Sequence, residues 1–133
     1  MLHHLTIWVP DLERAAPSWR WLLGELGFTV DGSFDTVLVF RHDSGFALVL
    51  EQSVDMVPGM LHSRLRPGLN HVAFTLDSLA DLDAIIRRAA EHGWSPLPGD
   101  RHPIAGETEV AYLEDRDGFE VELVAPATAS SDR

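Results

Sequence analysis

One succession of local patterns runs through this chain twice. The stretch "LHHLTIWVP" alternates Leu5, Ile7 and Val9 with His4, Thr6 and Trp8. That period of two marks a strand with two different faces. The stretch "GLNHVAFTL", from Gly68, alternates Val72, Phe74 and Leu76 with His71, Ala73 and Thr75 in the same way. Each strand leads into a helical stripe, a short strand and a hairpin. A repeat constrains the fold more than any single residue, because two copies of one supersecondary unit must share or adjoin a core.

The helix of the first copy is predicted from Leu12, Ala15, Ala16, Trp19, Leu22, Leu23 and Leu26, with Asp11 as N-cap and Gly27 at its end. Pro17 lies inside that stripe and lacks a backbone donor, so either the first turn is separate or the regular helix begins near Pro17. Phe28 to Val30 form a short strand. Thr36 to Arg41 and Phe46 to Glu51 form a hairpin around "HDSG". In the second copy Ser78 caps a helix carrying Leu79, Leu82, Ile85, Ile86, Ala89 and Ala90, closed by Gly93. Trp94 opens a short strand. Glu109 to Glu114 and Phe119 to Val124 form the second hairpin, around "DRDG". Landmarks recur in order: His4 with His71, "LGF" with "HGW", and "SGF" with "DGF", at offsets of 66 to 73 positions. The expected organisation is one domain over residues 1–126, with modules at about 1–52 and 68–126, a linker at 53–67 and a frayed tail at 127–133.

The composition narrows the function. There are 133 residues, 45% apolar, with no run long enough to cross a bilayer. No signal-peptide pattern opens the chain. The chain has no cysteine, which excludes disulfides and thiolate metal sites and makes the cytoplasm the expected location. Ten basic against 21 acidic residues give a net charge of −11. That balance repels phosphate backbones, so nucleic acid is not an expected partner; without a spanning apolar run, a membrane is not one either. It favours solubility, and it suits a cationic ligand or a divalent metal.

The strand parities then place the chemistry. Leu5, Ile7 and Val9, and likewise Val72, Phe74 and Leu76, are expected to pack on the helices. His4, Thr6 and Trp8 face away from them, as do His71, Ala73 and Thr75. In the last strand Phe119, Val121 and Leu123 face the helix, and Glu120, Glu122 and Val124 face the other side. Two imidazoles and at least one carboxylate therefore lie on non-helical faces. If those faces curve together, His4, His71 and Glu122 make a divalent metal site with positions open to substrate.

The segments "LHHLTIWVPDL", "LLGELGF", "GLNHVAFTL" and "YLEDRDGFEVELV" together resemble the vicinal oxygen chelate superfamily, which includes glyoxalase I, extradiol dioxygenases and bleomycin-binding proteins. The resemblance spans about residues 2 to 125. The last segment is the most specific, although Arg116 stands where the family's turn often has proline. The resemblance implies an α+β fold of two tandem βαβββ modules, whose mixed sheet curls around a central cavity with helices outside. It implies His4, His71 and Glu122 as ligands of a divalent ion (Fe, Mn, Ni, Co or Zn), and a homodimer. The family's fourth ligand comes from the last strand of the first module. Aligning the two hairpins puts Val49 opposite Glu122, with Glu51 two residues further on the same face. Glu51 serves only if that strand shifts or bulges.

Three further residues are candidates. His102, in the loop "GDRHPIAGE", is placed to shuttle protons. Tyr112 shares its strand face with Val110 and Glu114 and is a cavity donor or a core residue. Trp8 shares the face of His4 and is able to stack on a flat ligand. Trp19, Trp21 and Trp94 are expected in the core, and His42, His62 and His92 on the surface. Two functions stay open. The first is a glyoxalase- or dioxygenase-type metalloenzyme that chelates neighbouring oxygens of a small substrate by isomerase, lyase or ring-cleaving chemistry, with Glu51, His102 and Tyr112 assisting. The second is a metal-free binding protein that sequesters a cationic aromatic molecule.

Overall fold

The computed structural model describes residues 1–98 and 108–126, and it divides into two units, Met1–His62 and Ser63–Arg133. The first unit contains β1 (His4–Trp8), α1 (Leu12–Glu25), β2 (Thr29–Phe34), β3 (Val37–Arg41) and β4 (Ala47–Glu51). The second contains β5 (His71–Thr75), α2 (Leu79–Arg88), β6 (Ser95–Pro96), β7 (Thr108–Glu114) and β8 (Glu120–Pro126). Each unit is a four-stranded mixed sheet, in the order β1-β4-β3-β2 and β5-β8-β7-β6. In each, the first strand runs parallel to the last and the remaining pairs are antiparallel. The architecture is the expected α+β pair of βαβββ modules. Among the described residues no helix is long and apolar enough to cross a membrane.

The capping residues act as their types dictate. The Asp11 carboxylate accepts from the Arg14 backbone N–H at 3.1 Å, and the Ser78 hydroxyl accepts from that of Asp81 at 3.1 Å. Pro17 breaks nothing: α1 runs unbroken from Leu12 to Glu25 around it. The bond Pro17 cannot donate would end on the Glu13 carbonyl. Both residues are exposed, so the missing bond falls on the solvent side of the helix and leaves no buried orphan carbonyl. The end of α2 tightens into a 3-10 turn at Ala89–His92 before Gly93 adopts a left-handed φ of 85°.

One core forms in each unit. Trp19, Leu22 and Leu23 of α1 are buried with Ile7, Leu38, Phe40, Leu48 and Leu50, all of one strand parity. Leu82 and Ile85 of α2 are buried with Leu113, Val121 and Leu123, and α2 packs on β7 and β8. β5 is an edge strand, which leaves Val72 and Phe74 only half-buried. Trp19 and Trp94 are fully buried, whereas Trp21 is half-buried. His42, His62 and His92 are also half-buried rather than surface residues, and the His42 ring rests 5.1 Å from that of Phe28.

The "DRDG" turn is held by Asp115. Its carboxylate accepts from the backbone N–H groups of Asp117 and Phe119, both at 2.9 Å, while Gly118 supplies a φ of 88°. That turn sets the start of β8 and hence the placement of Glu120 and Glu122.

Candidate functional site

Residues paired across a sheet share a face. In the second unit three rungs cross β5, β8 and β7: His71–Glu120–Glu114, Ala73–Glu122–Tyr112 and Thr75–Val124–Val110. In the first unit the matching rungs are His4–Ala47–Arg41, Thr6–Val49–Val39 and Trp8–Glu51–Val37. The structure therefore brings His71, Glu122 and Tyr112 onto one face, with Glu114 and Glu120 beside them. It sets His4 and Glu51 four residues apart along the first unit's sheet.

The second-unit face is charged and buried. The His71 ring Nε2 lies 3.0 Å from Oε1 of Glu122, whose side chain is 3% exposed. The other oxygen, Oε2, is buried with no hydrogen-bond partner. Glu120, fully buried, lies 3.3 Å from Nε of Arg64, and another nitrogen of the same guanidinium donates to Glu114 at 2.6 Å. The Tyr112 and His71 rings meet edge to face, with centroids 6.0 Å apart.

The protonation of His71 follows from its neighbours. The Asn70 side-chain amide donates to the backbone carbonyl of Arg64 at 2.9 Å, which fixes the amide orientation. Its oxygen then lies 2.7 Å from Nδ1 of His71, so Nδ1 must be the donor. Glu120 is 3.9 Å from Nδ1, too far to compete. In the neutral ring Nε2 is then a lone pair facing a carboxylate oxygen. Two acceptors at that distance require a cation between them, either a proton or a metal ion.

A metal ion fits this donor set. Donors about 2.1 Å from one ion and adjacent about it stand roughly 3 Å apart, the spacing of Nε2 and Oε1. The partnerless Oε2 leaves further capacity on the same carboxylate. Among the described residues, Glu114, Glu120 and Glu122 on this face meet the Arg64 guanidinium and the His71 ring, a surplus of carboxylates that a cation would balance. The donors here number two: among the described residues no group of three or more His, Asp or Glu side chains able to hold a metal forms.

In the first unit His4 is exposed and its Nδ1 lies 2.9 Å from that of His3. Val49, not Glu51, occupies the rung that corresponds to Glu122. Glu51 sits opposite Trp8 and accepts from its indole N–H at 3.0 Å. Trp8 remains 47% exposed. His102 lies outside the described residues.

Periodicity pointed to His71, Glu122 and Tyr112 but missed Arg64 and Asn70. Arg64 falls in the expected linker and reaches Glu114 across 50 positions. Only the clustering of Glu114, Glu120 and Glu122 hinted that a cation must lie nearby. The Asn–His dipeptide at the start of β5 was the available signal for Asn70.

Residues 3–112 match the model of the glyoxalase/bleomycin resistance protein/dioxygenase superfamily. The chain is 34% identical over 128 residues to the uncharacterized protein YqjT of Bacillus subtilis (strain 168), covering 95% of this chain and 99% of YqjT. It superimposes with a TM-score of 0.83 on the crystal structure of a glyoxalase-family protein from Bacillus halodurans, at 38% identity, covering 95% of this chain and 96% of that one. The fold is also shared with the fosfomycin resistance protein FosX of Listeria monocytogenes, solved with Mn(II) and sulfate. There the TM-score is 0.66 at 22% identity, over 95% of this chain and 90% of that one. This chain belongs to the glyoxalase/bleomycin resistance protein/dioxygenase superfamily.

Proposed function

We propose that this chain is a metal-dependent enzyme acting on a small substrate with two neighbouring oxygens. The observation that carries the reading is the buried Glu122 carboxylate, with one oxygen 3.0 Å from His71 Nε2 and the other partnerless. An unmet carboxylate oxygen in a buried position is costly, and an ion removes that cost. His71 and Glu122 are the donors supplied by the second unit, and His4 is the donor proposed from the first. The ion is one of Fe, Mn, Ni, Co or Zn, and the Mn(II) bound by FosX supports a divalent one.

A divalent ion held there supplies Lewis-acid stabilisation of negative charge developing on adjacent substrate oxygens. The remaining work falls to the protein. Asn70 orients the His71 ring. Arg64 engages Glu114 and Glu120, leaving Glu122 as the carboxylate facing His71. Tyr112, on the Glu122 rung, is proposed to donate to a substrate oxygen, and His102 to carry a proton. Glu51 is proposed to hold Trp8 rather than to ligate. The reaction class is isomerisation, lyase-type rearrangement or ring-opening oxygenation, and a homodimer is the proposed assembly.

The test is metal content by mass spectrometry on protein purified without chelators, beside a His71→Ala/Glu122→Ala double variant. Near-stoichiometric metal in the first and none in the second supports the reading. No metal in either, with no rise in melting temperature on adding divalent ions, overturns it.

One observation favours a second reading, a metal-free protein that sequesters a cationic aromatic molecule. The Trp8 indole is exposed and fixed by Glu51, which presents an aromatic face beside a carboxylate. Calorimetric titration with planar cationic dyes, repeated on Trp8→Ala, tests it.

A further inference from the structure

The second unit carries a groove beside the face of His71 and Glu122. It holds about 240 Å³ and is lined by Ile86 of α2, by Pro96, Leu97 and Pro98, and by Val110 and Tyr112 of β7. The stretch "SPLP" builds one wall. A proline fixes its φ and has no N–H, so Leu97 is the only backbone donor between Pro96 and Pro98. Its N–H donates to the Tyr112 carbonyl at 2.8 Å. β6 ends at Pro96, so no described strand continues along this edge of β7 beyond Tyr112. Alternate residues of a strand turn their backbone groups to the same edge, which leaves the N–H and C=O of Val110 on the edge where the groove lies.

Tyr112 ties the groove to the site. It lines the groove, and it stands on the Glu122 rung with its ring centroid 6.0 Å from that of His71. We infer that the groove receives the neutral, apolar end of the substrate, a short alkyl chain or a single aryl ring, while the two neighbouring oxygens meet the ion. This rests on the reading of the His71–Glu122 face as a metal site. Size supports it. Pockets for whole small molecules run to about 300–1,000 Å³, so this groove suits part of a ligand, and a cavity of about 150 Å³ already admits benzene. Charge supports it too. Among the described residues no ionised side chain lines the groove, and the neighbouring face carries Glu114, Glu120 and Glu122. A charged end would lose hydration there without gaining an ion pair, and an anionic one would also meet those carboxylates.

Hydroxamic acids test this, because they present two neighbouring oxygens to a metal and carry any tail. Calorimetric titration of the full chain loaded with Mn2+ and, separately, with Zn2+ compares acetohydroxamic, hexanohydroxamic, benzohydroxamic and 4-carboxybenzohydroxamic acids. The hexano probe is expected to bind about tenfold tighter than the aceto probe, as four added methylenes only partly removed from water would give. The benzo probe should gain similarly, and its carboxylate should erase the gain. Ile86→Lys and Leu97→Lys each place a charge in the groove, and both are expected to cut the difference between hexano and aceto probes to below about twofold. Equal affinity for all tails, or a tail preference unchanged in both variants, overturns the inference and leaves the metal site standing. Amide probes need no metal. In the metal-free chain hexanamide, but not acetamide, is expected to shift the backbone amide resonances of Val110 and Tyr112. Absence of those shifts, including from a groove already filled by residues 99–107, overturns the inference. If the shifts appear and the chain binds no metal, the groove stands as an apolar site while the metalloenzyme reading, and the assignment of the groove to its substrate, fall.

Discussion

Val49 occupies in the first unit the rung that Glu122 occupies in the second: Thr6–Val49–Val39 corresponds to Ala73–Glu122–Tyr112. The two modules share one scaffold, and the scaffold carries a carboxylate at this rung only once. The carboxylate of the first unit lies one rung further on, tied to Trp8.

Glu51→Ala is therefore expected to leave metal stoichiometry unchanged while Glu122→Ala abolishes it. The Glu51 variant should instead shift the Trp8 indole N–H resonance, since its acceptor at 3.0 Å is gone. Loss of metal in Glu51→Ala would mean that the carboxylate ligates after all.

Glu122→Gln separates a metal ligand from a structural carboxylate. The amide keeps the shape, removes a buried charge and donates to Nε2 of His71. Metal-free stability should stay within about 1 kcal/mol of wild type or rise. Metal affinity should fall by more than about a hundredfold, beyond the range seen when only a ligand's hydrogen-bond partner is lost. A variant equally weakened in both respects would show a structural role. Urea unfolding in chelator and metal titration give the two numbers.

Arg64→Ala leaves the fully buried Glu120 without its guanidinium and also frees Glu114. Unpairing a buried charge costs about 3 kcal/mol, and Arg64 is itself largely shielded from solvent. Much of that loss should return in the Arg64→Ala/Glu120→Gln double variant, because the buried charge that lost its guanidinium is then also gone. Denaturant midpoints of wild type, Arg64→Ala, Glu120→Gln and the double variant check this, and simple additivity would mean that the pair does not interact.

Asp115→Ala removes the acceptor of two backbone donors at 2.9 Å in a buried turn. The expected loss is about 2 kcal/mol, with Asp115→Asn retaining most of the stability. Since this turn sets the start of β8, the alanine variant should also weaken metal binding; thermal unfolding and metal titration together read both effects. Unaltered binding in a destabilised variant would show that β8 keeps its register without the turn.

Much of the fold was legible because it rests on short-range chemistry. Alternation in "HVAFT" and "EVELV" depends on the two faces of a strand, and the caps at Asp11 and Ser78 depend on side chains reaching backbone a few residues away. Pro17 was legible as an irregularity but not in its consequence. Whether a missing donor ends a helix depends on whether its acceptor reaches water, and that is settled by which face the helix buries.

The sequence by itself determined the repeat, the strand faces and the candidacy of His71, Glu122 and Tyr112. All of these follow from periodicity, which each segment carries in its own residues. The hairpin alignment set Val49 against Glu122, but only the tertiary structure decided that the strand keeps this register without a shift and puts Glu51 beside Trp8. Tertiary structure alone also brought Arg64 across 50 positions to Glu114 and turned Asn70 toward His71. The reason is physical. Register and long-range pairing are fixed when separate strands come together and bury their polar groups against one another, so no stretch of local sequence specifies them.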